Sequence, residues 1–79
     1  MFLHLNKNTT LWRGDIIGVF DMDTATQTAT GREFLQRAQK EGRLITAVET
    51  FAIPKSFIVT ADGKVVISQL APSVIRYRK

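Results

Sequence analysis

Two segments in the C-terminal half of the chain carry apolar side chains at consecutive positions, and this pattern constrains the fold more than any other feature. Residues 57–59 are Phe-Ile-Val and residues 65–67 are Val-Val-Ile, with Asp62 and Gly63 between them. A strand with one buried face alternates apolar and polar residues, whereas consecutive apolar residues lie on both faces of a sheet. Gly63 can supply the positive φ that a tight hairpin turn needs. The pattern therefore predicts a hairpin, with strands over residues 55–60 and 64–70, whose two faces are both apolar.

The rest of the sequence predicts a small α+β fold with a mostly antiparallel sheet. Residues 1–5, 9–12 and 16–20 favour strands, and the last of these segments is the strongest because most of its residues prefer a pleated sheet. Residues 21–30 are rich in threonine and hold two aspartates, a composition typical of a loop. Residues 44–48 are expected to lead into a connector, and Pro54 stops any helix before it.

One main helix is predicted over about residues 31–41, with a short helix at the C-terminus. Thr28 or Thr30 can cap the main helix, because a threonine hydroxyl accepts a hydrogen bond from a free N–H group of the first turn. Pro72 suits the first position of the C-terminal helix, which is predicted to run through Arg78.

The 79 residues make one domain, residues 1–79. Few apolar segments of this domain are left to cover the two faces of its sheet. The apolar stripe of the main helix, formed by Phe34, Leu35 and Ala38, can cover one face. For the other face only the N-terminal strand and residues 73–79 remain. Burial against a second copy resolves this, and we therefore predict a homo-oligomer. The alternative is a sheet folded around itself so that both faces are internal.

The residues that most enzymes and metal sites depend on are scarce. The chain has no cysteine and a single histidine, His4, so we expect no thiolate zinc site and no catalytic triad. Asp21 and Asp23 could hold a cation, but they are better interpreted as a solvated strand end. No phosphate-binding glycine motif occurs. We therefore predict a protein that is not an enzyme and has no cofactor or metal.

The compartment is predicted from the apolar runs and the N-terminus. No apolar run approaches the roughly 20 residues that cross a bilayer, and the first residues lack the cationic lead of a signal peptide. The prediction is a cytoplasmic protein that does not bind membranes.

The net charge of +4 is concentrated towards the C-terminus, where residues 55–79 carry five basic residues and one acidic residue. Such a patch can bind the phosphates of nucleic acid, although a solvated, frayed tail is the alternative. Trp12 and Arg13 can stack on a base or pack on a neighbouring subunit, and Lys55 is either a phosphate contact or a solvated edge lysine. The candidate nucleic-acid-binding residues are Arg13, Lys55, Arg76, Arg78 and Lys79.

Several segments, in order and spacing, resemble the extracellular-matrix regulatory family RemA/RemB of Gram-positive bacteria, with a closer resemblance to its RemB branch. These segments are residues 1–5, 15–21, 32–35 and above all 54–60, followed by residues 63–65 and Ser68. The resemblance implies a small α+β subunit that assembles into ring-like oligomers. It also implies DNA-binding regulation of genes for the biofilm matrix.

The resemblance also indicates where DNA contacts belong. In the RemA branch they are attributed to an arginine just before the third strand and to an arginine pair before the strand at 54–60. This sequence has Asp15 at the first position and Ala52 and Ile53 at the pair. Arg13 and Lys55 are the nearest cations and are expected to take over these contacts.

The predicted function is an oligomeric, DNA-binding transcriptional regulator that contacts double-stranded DNA through its backbone. Each subunit contributes a modest basic patch, and the oligomer repeats it. The alternative is an oligomeric scaffold whose partner is another regulatory protein and which makes no direct DNA contact.

Overall fold

The structure is a computed structural model that describes residues 2–77. Its elements confirm the α+β fold class. In chain order they are β1 (Phe2–Asn6), β2 (Thr9–Trp12), a 3-10 turn (Arg13–Asp15), β3 (Ile16–Asp21), α1 (Met22–Thr26), α2 (Ala29–Lys40), β4 (Leu44–Ala47), β5 (Ser56–Thr60), β6 (Val65–Ser68) and α3 (Pro72–Tyr77). No helix within this range has the length and apolar character that crossing a membrane requires.

The strands form a four-stranded sheet in the order β3-β5-β6-β4 and a separate hairpin of β1 and β2. Strands β3, β5 and β6 are antiparallel, whereas β4 runs parallel to β6. The mostly antiparallel sheet and the β5–β6 hairpin are thus confirmed, and Gly63 has the expected positive φ of 86°. Strand β4 was not predicted, since residues 44–48 were expected only to lead into a connector, whereas most of this segment forms β4.

Both faces of the central strands are covered from within the chain. On one face, Ile58 and Val66 pack with Leu3 and Leu5 of the β1–β2 hairpin and with Ile75 of α3. On the other face, three buried residues form the core: Ala38 of α2, Phe57 and Val65. This arrangement follows the alternative of a sheet with two internal faces, so an uncovered central face is not a reason for self-association. The homo-oligomer stays a prediction.

Helix α2 begins earlier than predicted, whereas helix α3 begins at the predicted residue. Helix α2 begins at Ala29 because Thr28 is the N-cap, its hydroxyl accepting from the Gly31 N–H at 3.0 Å. The predicted start at residue 31, with Thr30 as the other candidate cap, was therefore late by two residues. Helix α3 begins at Pro72 as predicted, while its predicted end at Arg78 lies outside the described residues.

Helix α1 is not predicted by the sequence, because the threonine-rich composition of residues 21–30 is typical of a loop. Asp21 is its N-cap and accepts from the Thr24 N–H at 3.0 Å. A carboxylate at this position satisfies a free N–H group and favours the positive end of the helix dipole. The structural role of Asp21 is therefore to turn the chain from β3 into α1.

The turn between β5 and β6 holds a strongly hydrogen-bonded carboxylate. The Thr60 hydroxyl donates to Oδ1 of Asp62 at 2.5 Å. This hydrogen bond, more than any other contact, holds the pKa of Asp62 below its usual value, although the carboxylate is fully exposed.

A lowered pKa in the folded state makes the stability depend on pH in a defined direction. The stabilisation from Asp62 is complete above its unfolded pKa of about 3.9 and is lost as the pH falls through the lower folded pKa. We expect the free energy of unfolding to fall less steeply in Asp62→Asn than in the unmodified protein as the pH drops below about 4. Urea denaturation followed by circular dichroism at several pH values measures this. Equal pH slopes for the two proteins would contradict the prediction.

Candidate functional site

Two of the predicted DNA-contacting arginines hold helix α3 in place, one from the 3-10 turn before β3 and the other by reaching from α3 to β3. Nη2 of the half-buried Arg13 donates to the Ile75 carbonyl oxygen at 2.8 Å. Nη2 of the exposed Arg76 donates to the Val19 carbonyl oxygen of β3 at 3.0 Å. These bonds hold the fully buried Ile75 against the sheet. The structure thus brings Arg13 and Arg76 together at α3, where each uses part of its guanidinium internally.

The unused donors of the two arginines differ in their access to a ligand. A guanidinium has five N–H donors, so one internal bond leaves others free. Arg76 is exposed and can present them to an anion. Nε of Arg13, in contrast, is buried and has no hydrogen-bond partner among the described residues. Arg76 is therefore the better placed of the two for a phosphate.

Lys55 has an anchored backbone and an exposed side chain. Its N–H donates to the Ser68 carbonyl at 2.9 Å, and its carbonyl accepts from the Met22 N–H at 3.0 Å. The side chain is exposed and forms no ion pair within the described part of the chain. Lys55 can therefore reach a phosphate without disturbing the sheet. The remaining candidates, Arg78 and Lys79, lie outside the described residues.

An apolar groove opens between strand β3 and helices α1 and α2. We name it the β3 groove; its main lining residues are Ile17, Phe20, Ala25, Phe34, Phe57 and Val59, and its volume is about 410 Å³. Phe20 stacks on Phe57 with ring centroids 5.2 Å apart. Ile17 is nevertheless 69% exposed and Phe20 47% exposed. The groove is thus a formed apolar surface that the described chain leaves open.

The segment between β4 and β5 exposes two further large apolar side chains. Phe51 is 86% exposed and Ile53 74% exposed, and we name residues 51–53 the apolar loop. Its backbone is ordered by the turn bond from the Ala52 N–H to the Glu49 carbonyl, at 3.0 Å. The Glu49 N–H in turn donates to Oε1 of Gln69 at 2.9 Å. Two of the three loop positions are those at which the resemblance to the RemA branch expects arginines.

Sequence reasoning missed the groove and the loop as surfaces, although part of the signal was present. Phe34 was expected in the core but is 38% exposed at the groove. Phe51 and Ile53 are large apolar residues in a connector ending at Pro54, where polar residues are usual. That composition could have indicated the loop. The groove depends on the packing of α1, which was itself not predicted.

Among residues 2–77 no group of three or more His, Cys, Asp or Glu side chains is placed to hold a metal ion. The described surface features are exposed cations, an apolar groove and an apolar loop on a small α+β scaffold. Exposed cations and apolar patches of this kind are typical of proteins that bind other macromolecules. A family model described as RemA-like, Extracellular matrix regulatory protein A-like, matches residues 2–78, so the chain belongs to the RemA-like family. The predicted family is thereby confirmed, while the match does not separate the RemA and RemB branches. No curated protein matches the chain.

Proposed function

We propose that this chain is an oligomeric, cytoplasmic regulator of extracellular-matrix genes that binds the backbone of double-stranded DNA. The observation that carries the proposal is the family match, which spans residues 2–78 and whose description names an extracellular matrix regulatory protein. The family supports the regulatory role. Binding to DNA and assembly into an oligomer are the finer parts of the proposal and rest on charge and exposed apolar surface.

The charge of the chain supports DNA as the partner. The net charge is +4, and Lys55 and Arg76 are both exposed. Arg76 contacts β3 at Val19, two residues before Asp21, and Asp21 pairs with Ser56, the residue after Lys55. The two cations therefore lie towards the same end of β3. One such pair binds DNA weakly, but copies held at fixed spacing in an oligomer gain through effective concentration.

The test is the salt dependence of DNA binding with and without Lys55. We expect binding of a labelled duplex, measured by fluorescence anisotropy, to weaken steeply between about 50 and 200 mM salt because condensed counterions are released. Lys55→Ala should reduce the slope of log K against log salt by about 1 for each Lys55 that contacts a phosphate. Lys7→Ala is the matched control, since Lys7 is an exposed lysine in the β1–β2 turn.

Light scattering of each variant is needed beside the anisotropy, so that a change in assembly is not mistaken for a lost phosphate contact. Binding that does not vary with salt, or an equal effect of Lys55→Ala and Lys7→Ala, would contradict backbone contact through Lys55.

A second candidate function is a protein-interaction scaffold without DNA contact. The observation that favours it is the apolar loop, where Ala52 and Ile53 stand in place of the expected arginine pair and Ile53 is 74% exposed. An apolar surface of this kind suits a protein partner better than a phosphate backbone. An oligomer that gives no anisotropy change with any duplex, even at low salt, would favour the scaffold.

A further inference from the structure

We propose that a small cleft beside Trp12 binds a guanidinium group, carried either by a free alkylguanidine or by an arginine side chain of another protein. The cleft lies between strand β2, the 3-10 turn and the turn that joins β5 to β6, and its volume is about 260 Å³. We name it the Trp12 cleft; its main lining residues are Trp12, Asp15, Ile45, Asp62, Lys64 and Val66. The inference goes beyond the proposed function, since no described cation that is proposed to contact DNA lines this cleft.

The first support is an aromatic ring that is exposed and held in position. Trp12 is 46% exposed, although indole rings are usually buried to a greater extent. Its ring makes an edge contact with Phe2, with ring centroids 5.0 Å apart and an interplanar angle of 67°. Gly14 leaves room for the indole, because a Cβ atom there would lie 2.6 Å from Nε1 of Trp12. A planar guanidinium stacks favourably on such a ring.

The second support is a pair of carboxylates that the fold brings to the same cleft. The Ala61 N–H donates to the Asp15 carbonyl oxygen at 2.7 Å, which holds the 3-10 turn against the β5–β6 turn. Asp15 and Asp62 therefore both line the cleft. The hydroxyl of the buried Thr60 holds Oδ1 of Asp62 at 2.5 Å. A carboxylate has about four acceptor sites, so Asp62 can still accept the paired hydrogen bonds that a guanidinium donates.

The third support is the charge of the cleft. Lys64 is the one cation that lines it, against two carboxylates. In the described part of the chain Lys64 forms no ion pair with Asp15 or Asp62. The cleft therefore has an excess of negative charge on a chain whose net charge is +4. A local field of this sign attracts a cation to the cleft, while the rest of the surface repels it.

The size and the apolar walls of the cleft fit one group with the dimensions of a side chain. Small-molecule sites usually have volumes of roughly 300–1,000 Å³, so this cleft is at the lower end of that range. Val66 is buried at the floor, and Ile45 is 38% exposed. These two side chains offer apolar surface to the methylene groups that carry the guanidinium.

The test uses the fluorescence of Trp12, which reports on this cleft because it is the single tryptophan of the chain. The probe is butylguanidinium, titrated at constant ionic strength, with butylurea as its uncharged analogue. Asp62→Asn and the double variant Asp15→Asn/Asp62→Asn remove the negative charges. Asp23→Asn is the matched control, since Asp23 is an exposed aspartate of α1 and does not line the cleft. Circular dichroism checks the fold of each variant.

We expect butylguanidinium to change the fluorescence of the unmodified protein and of Asp23→Asn with the same dissociation constant, about 1–10 mM for so small a ligand. Butylurea should cause no saturable change. Asp62→Asn should weaken the binding about 3–5-fold, as expected for the loss of one partly exposed ion pair, and the double variant about tenfold.

A short peptide with one arginine between neutral residues distinguishes the two sources of the guanidinium. Tighter binding of the peptide than of butylguanidinium would support an arginine of a protein partner. Weaker binding of the peptide would support a free alkylguanidine.

Three results would overturn the inference. One is a fluorescence that does not change up to about ten times the expected dissociation constant. The second is equal binding of butylurea, which needs no variant and therefore does not depend on the folding of one. The third is an equal effect of Asp62→Asn and Asp23→Asn. None of these results bears on DNA binding, so the proposed function is tested separately.

Discussion

Replacing Ile58 by alanine is expected to remove a large part of the stability of this domain. Ile58 is fully buried on β5, between β3 and β6, and packs with the β1–β2 hairpin and α3. Truncating a buried isoleucine removes the transfer free energy of the lost methyl groups and leaves a cavity, which together cost about 2–5 kcal/mol. Domains of this size have total stabilities near the lower end of about 5–15 kcal/mol. The substitution should therefore bring the domain close to unfolding at room temperature.

Two further variants show whether the loss of stability in Ile58→Ala comes from lost packing. Ile58→Val should cost only about 0.5–1.5 kcal/mol. Ile45→Ala is the matched control on β4, where the side chain is 38% exposed and less apolar contact is lost. Thermal and urea denaturation followed by circular dichroism measure the differences, with roughly 4–8 °C in Tm for each kcal/mol. Equal losses for Ile58→Ala and Ile45→Ala would contradict the placement of Ile58 at the centre of the core.

The parts of the fold that sequence reasoning predicted are those with a local signal. Gly63 marks the β5–β6 hairpin because a positive φ suits glycine, and Pro72 marks the start of α3 because proline favours the first helical position. The apolar runs of β5 and β6 indicated two apolar faces, and both faces are buried. The expectation that the chain could not cover the second face was wrong, because the β1–β2 hairpin and α3 cover it.

The parts that were missed depend on contacts between distant residues. Strand β4 has only four residues and is stabilised by parallel pairing with β6, for example of Ile45 with Val66, so nothing local identifies it. Helix α1 has five residues, two of them threonines of low helix propensity, and depends on the cap from Asp21.

In the candidate site, too, local features could be predicted from the sequence, whereas contacts between distant residues could not. The basic residues could be named from the sequence, but their hydrogen bonds could not. Arg13 bonds to Ile75, which is 62 positions away in the chain, and Arg76 bonds to Val19, which is 57 positions away. In the sequence, an arginine that stabilises the packing of a helix cannot be distinguished from an arginine that binds a phosphate. Only the packing of α3 distinguishes the two roles.

Gly31→Ala is expected to destabilise the domain, against the usual effect of alanine in a helix. Gly31 lies in the first turn of α2, where α1 and α2 meet at a tight corner. A Cβ atom there would overlap with the Ala25 carbonyl oxygen and lie 2.9 Å from the Thr28 hydroxyl. The first contact is with backbone, so no change of rotamer relieves it.

Whether Gly31→Ala stabilises or destabilises the domain depends on two free energies, the gain in helix propensity and the cost of the clash. Alanine in place of glycine stabilises a helix by about 1 kcal/mol through propensity. Overpacking at a close backbone contact costs about 1–3 kcal/mol, and here the Thr28 hydroxyl that caps α2 through the Gly31 N–H must also move. Loss of that cap adds about 1 kcal/mol. The clash and the cap together exceed the propensity gain, and we expect a net loss of about 1–3 kcal/mol.

Thr30→Ala separates propensity from the clash at the neighbouring position. Thr30 is exposed on α2, so alanine there should stabilise the domain by about 0.5 kcal/mol or less. Denaturation curves of both variants at a fixed protein concentration measure the difference in the free energy of unfolding. A Gly31→Ala protein as stable as Thr30→Ala would mean that the two helices do not meet this closely.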